Sequence, residues 1–144
     1  TAKYLFVLFI EGTAFILCTL LTIIRMKVLG NSAPYVTNQL MNANAAYLGY
    51  VMIVFAAFNG IFLAGFFKTA YQIGKPFILF CVAGFIIIII GETLHHIPHL
   101  ESLNDPSSVN APQVAILIIG IAVFMLCTWV SYQKAVKDFE AIDL

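Results

Sequence analysis

The sequence predicts an all-α integral membrane protein with about four transmembrane helices. Three observations carry that expectation. The chain has 144 residues, 62% hydrophobic and 10% charged, where a soluble domain carries about 25% charged residues. Its mean hydropathy is +0.99. Its apolar residues also gather into four continuous runs, each near the ~20 residues a helix needs to cross a bilayer. Barrel strands would instead alternate over about ten residues.

The first span runs over 4–24, contains Glu11 and ends at Arg25-Met26-Lys27. A polar loop over 25–42 follows, with Gly30, Pro34 and several amides. The second span covers 43–67 and passes into a short basic link, FKTAYQIGK. The third covers 76–94 and opens on Pro76, which suits a first helical turn whose N–H needs no partner. Residues 95–112 hold three prolines, two acids and no Lys or Arg. The fourth span, 111–132, continues into a tail of mixed charge. No repeat or low-complexity segment divides the chain, so a single transmembrane domain over 1–144 is expected.

Short loops rich in Lys and Arg stay on the cytoplasmic side. Lys3, Lys68, Lys75, Lys134 and Lys137 fall on one side of a four-span chain, and Arg25 and Lys27 on the other. This places both termini in the cytoplasm and the 95–112 segment outside. The net charge of zero and the scattered basic residues speak against nucleic-acid binding.

Few residues offer chemistry. Glu11 lies inside an apolar span, where a carboxylate costs a few kcal/mol and must find a partner, a cavity or water. The expected role is packing against a neighbouring helix; the alternative is a proton or cation site. Glu92, His95, His96 and His99 cluster at the end of the third span. Glu92 and His96 are four apart, as are His95 and His99, so each pair would share a face of a continuing helix and could hold a metal. Pro98 interrupts that helix, so the expectation is a polar cap and no metal site. Cys18, Cys81 and Cys127 have neither zinc-site nor redox-motif spacing. The glycine pairs Gly60 with Gly65 and Gly84 with Gly91 are candidates for close helix contact. Tyr47, Tyr50, Tyr71, Trp129 and Tyr132 fit an aromatic belt near the span ends. No phosphate loop, nucleophile elbow or triad pattern is present, so enzymatic activity and a cofactor on this chain are not expected.

Two segments resemble a known family. One is Ala64-Gly65-Phe66-Phe67-Lys68-Thr69-Ala70-Tyr71-Gln72-Ile73-Gly74-Lys75-Pro76. The other is the tail from Ser131-Tyr132-Gln133-Lys134 to Leu144. Over roughly residues 60–144 they are similar to the C-terminal part of small bacterial ABC-exporter permeases of the second type. Members commonly have six helices and an amphipathic cytoplasmic segment near the start. Four spans stand here, and the resemblance leaves room for two more upstream. It implies a permease in the bacterial cytoplasmic membrane that pairs with a second copy and with a cytoplasmic ATPase. ATP would bind that partner, and the cargo would be hydrophobic or a peptide. The basic link and the tail are the cytoplasmic polar segments, so Lys68, Tyr71 and Lys75 are the expected contacts to that ATPase. Two other classes remain in view: an accessory subunit of a larger, redox-active membrane complex, and a small proton-coupled transporter using Glu11.

Overall fold

The computed structural model describes residues 2–29, 40–69 and 72–142. Most of the polar loop over 25–42 therefore lies outside the described residues. Among those described, the structure is helical with no strand, and four helices are long and apolar enough to cross a membrane.

Helix α1 spans Ala2–Ile24 and runs on as a π-helical turn, Arg25–Leu29. The second span has three parts: α2 (Ala45–Ala57), a π-helical segment (Phe58–Leu63) and α3 (Ala64–Lys68). Helix α4 covers Gly74–Leu94, a 3-10 turn covers Glu101–Asn104, and α5 covers Ala111–Ile142. At 1.5 Å per residue α5 is about 48 Å long, so it outruns a ~30 Å hydrocarbon core. Its polar last turns are the tail, which is helical to Ile142.

The second span is the hub. It packs against α1, α4 and α5, and its tightest partner is α5. These two run parallel, side by side. Gly49 lies against the backbone at Ile116, Phe55 packs edge-on to Phe124 at 6.5 Å, and Asn59 reaches Thr128 at 3.0 Å. A Cβ on Gly49 would stand 2.5 Å from the Ile116 carbonyl oxygen, and one on Gly120 would overlap the Gly49 carbonyl. Close approach of backbones is how helices gain van der Waals contact in lipid.

The four glycines read from sequence as candidates for close contact differ in their surroundings. Gly60 has open space around it, and Gly84 would meet only the Phe80 ring at ordinary distance. Gly65 does serve a contact, against Pro76, and Gly91 lies against Met41 and Tyr50. The decisive pair is Gly49 with Gly120, which sequence spacing cannot reveal because the two lie on different helices.

The two ends of the bundle differ. At the end carrying Lys3, Lys68, Lys75 and Lys134, Tyr4 is buried among Leu63, Phe67 and Ala135. Its ring stacks on Phe67 at 6.5 Å and meets Tyr132 edge-on at 5.4 Å. At the opposite end, amide side chains hold the loop segments. Asn44 caps α2 by accepting the Tyr47 N–H, and its Nδ2 donates to the carbonyls of Leu103 (2.7 Å) and Asp105 (3.4 Å). Gln113 donates to the Ser102 and Asp105 carbonyls at 3.1 and 2.9 Å. Irregular backbone at a membrane face needs such partners, because an unpaired carbonyl out of water is costly.

Outward faces stay apolar and uncovered. Phe6, Phe9 and Leu21 on α1, Ile78 and Phe85 on α4, and Met125 and Leu126 on α5 are all exposed. In water such a surface would drive aggregation; in a bilayer it meets lipid or another subunit.

Candidate functional site: a buried polar cluster beside an apolar groove

The π-helical segment builds the centre of the site. It contains Asn59-Gly60, the one polar interruption of the second span's apolar run between Tyr50 and Phe67. A π turn closes its hydrogen bonds five residues on, and the Ala64 N–H bonds the Asn59 carbonyl in that way. That carbonyl also accepts the Ser131 hydroxyl at 2.5 Å. A backbone irregularity inside a span is tolerated where neighbouring hydroxyls re-satisfy it, and such bulges recur at functional sites.

The Asn59 side chain is fully buried. Its Nδ2 donates to Glu11 Oε2 at 3.0 Å and to Thr128 Oγ1 at 3.0 Å. Tyr4 adds a bond from its hydroxyl to the Thr128 carbonyl at 3.1 Å. Three spans are thus tied by one amide, one carboxylate and three hydroxyls. Glu11 lies nine residues beyond Ala2, about 14 Å along α1, well inside the span. Its partner Asn59 lies on the second span.

A groove of about 440 Å³ runs beside this cluster, between α1, α2 and α5. Glu11, Phe15, Phe55, Phe124, Thr128 and Trp129 are among its walls. A second groove of about 730 Å³ lies nearer the amide end, lined by Cys18, Met41, Tyr47, Tyr50 and Glu92 among others.

The remaining candidates are scattered. Helix α4 stops at Leu94, so the continuing helix on which Glu92 and His96 would share a face is not there. Glu92 instead accepts the Met41 N–H at 2.9 Å, which ties the segment before α2 to α4. His95 is buried and its ring lies 4.1 Å from that of exposed His96. His99 is exposed in a left-handed turn, φ 74°. Among the described residues no three His, Cys, Asp or Glu side chains gather closely enough to hold a metal. Lys68 and Lys75 are exposed at the two ends of the basic link, and Tyr71 lies outside the described residues. The cysteines are free thiols on α1, α4 and α5.

Asn59, Thr128 and Ser131 were not singled out from sequence. The available signal was the Asn-Gly step in an apolar run, since an amide in lipid must find a partner. Which partner depends on how α2 and α5 pair.

A family model described as "ABC-2 family transporter protein" matches residues 1–140. The chain belongs to the ABC-2 transporter family. It is an integral membrane permease of that type, and the match takes in α1 and the Glu11 region as well as the segments beyond residue 60. No curated protein and no solved structure matches the chain.

Proposed function

We propose that this permease is the membrane subunit of an ATP-driven exporter for a hydrophobic or peptide cargo. It works as a pair with a second copy and with a cytoplasmic ATPase. The observation that carries this reading is the apolar lining of both grooves in an ABC-2 permease. A cargo soluble in lipid can enter such grooves sideways. The exposed faces of α1, α4 and α5 offer room for a second copy, so that a pathway forms between subunits.

The lysine-rich end faces the cytoplasm on this reading, in keeping with the excess of basic residues there. Exposed Lys68 and Lys75 are the contacts offered to the ATPase. ATP-driven closure of the two ATPases would push on the link between α3 and α4 and on the end of α5. Because the second span touches the other three, its displacement would change both grooves together.

The test is isolation from native membrane in a mild detergent, followed by an ATPase assay. The expected result is co-purification of a nucleotide-binding subunit, weakened by Lys68→Glu with Lys75→Glu. Recovery of haem or other redox subunits without any ATPase would overturn it. Orientation is checked separately in a cysteine-free background: Ser107→Cys should react from outside and Lys137→Cys from inside.

A further inference from the structure

Glu11 is 5% exposed, yet it lines the groove between α1, α2 and α5. A carboxylate has two oxygens to satisfy. Oε2 accepts from Asn59, while Oε1 is buried with no hydrogen-bond partner in the structure. Asn59, itself anchored on Thr128, is neutral, so it holds the carboxylate in place without matching its charge. The groove walls around it are otherwise almost wholly apolar, with the aromatic side chains of Phe15, Phe55, Phe124 and Trp129. Its volume of about 440 Å³ lies within the range of small-molecule sites, which pair a largely apolar lining with a few fixed polar groups.

We propose that this groove binds cationic amphiphiles. The ammonium head donates to Glu11 Oε1, and the apolar body lies along α1 and α5. A carboxylate oxygen buried without a partner beside an apolar slot calls for a donor that carries positive charge and a hydrophobic tail. Aromatic side chains among the groove walls favour the same head group, because ring faces attract cations. Asn59 is a positioning residue: it fixes the carboxylate through Oε2 and leaves Oε1 without a partner. That the ligand is also the cargo rests on the exporter reading above; the binding does not.

Trp129 is the only tryptophan of the chain and it lines this groove, so its emission reports occupancy. The permease is placed in phosphatidylcholine nanodiscs and titrated with dodecylammonium or with dodecanol, each corrected for partition into empty discs. Wild type should bind dodecylammonium saturably and about tenfold or more tighter than dodecanol, the size of a charge-assisted hydrogen bond. Glu11→Gln keeps the shape and an oxygen for Asn59, and should abolish the preference. Equal binding of the two amphiphiles by wild type, the outcome if Glu11 carries only a proton, overturns the proposal. So does a preference that survives in Glu11→Gln. The wild-type comparison decides the matter even if the variant does not fold. No ATP or ATPase enters the assay, so absence of an ATPase partner would remove the exporter reading and leave the site standing. Conversely, a recovered ATPase with no preference for the cation would remove the site alone.

Discussion

Gly49 presents its backbone carbonyl to Gly120 at the point where a side chain on Gly120 would have to begin. This contact lets α2 and α5 lie parallel and close enough for Asn59 to reach Thr128 and for Ser131 to reach the Asn59 carbonyl. The polar cluster therefore depends on two residues that carry no side chain and lie several turns away.

Replacing either glycine by Ala should separate the helices. Overpacking a close contact costs about 1–3 kcal/mol, and here the obstacle is backbone, which cannot rotate aside. Gly49→Ala and Gly120→Ala should each lower the thermal unfolding midpoint in mild detergent. Gly84→Ala is the control. Its new methyl would meet only the Phe80 ring at 3.9 Å, and helical Gly→Ala exchange usually stabilises by up to about 1 kcal/mol. Equal losses at all three positions would contradict this account of the contact.

The π-helical segment makes a different prediction. Its turn accommodates one residue more than an α-helical turn, and Gly60 has nothing within 4 Å of where a side chain would start. Deleting Gly60 should let the second span close as continuous α-helix, with Leu63 and Phe67 still facing Tyr4. Deleting Ile53, inside α2, has no such slack and turns one part of the span by about 100° against the other. The yield of monodisperse protein on size exclusion should survive the first deletion and collapse with the second. Similar yields from both would show that the segment holds no spare residue.

Acid should loosen the turn at the amide end. Asp105 accepts from the Ser107 N–H (2.8 Å) and from the hydroxyls of Ser107 and Ser108, both at 2.6 Å. The Ser107 and Ser108 bonds hold its carboxyl below the usual carboxylate range. The folded value is lower than the unfolded one, so the contribution is complete above the ordinary Asp pKa near 3.9. It is lost as the pH falls through the folded value. Amide exchange at Ser107 should therefore accelerate in that acid window, after correction for intrinsic rates. In Asp105→Asn the protection should be weak at every pH. An unchanged acid profile in that variant would assign the loosening to another group.

Much of this protein is set by its sequence alone. Four apolar runs and a small charge count determine four helical spans, because lipid tolerates only backbone that satisfies itself. The Phe-Lys link and the tail carry the family resemblance, since those segments are continuous in the chain. Glu11 is visible as a buried charge for the same reason: its cost is local and needs no knowledge of neighbours. The partners were decided only in three dimensions. Asn59 meets Glu11 across 48 residues and Thr128 across 69, and Gly49 meets Gly120 on a helix two spans later. Apolar helices look alike in sequence on every side, so the register of α2 on α5 comes from backbone fit and from the few polar atoms that must find one another. The tertiary structure likewise ends the third span's helix at Leu94, before the histidines, and leaves Glu11 Oε1 buried without a partner beside a groove.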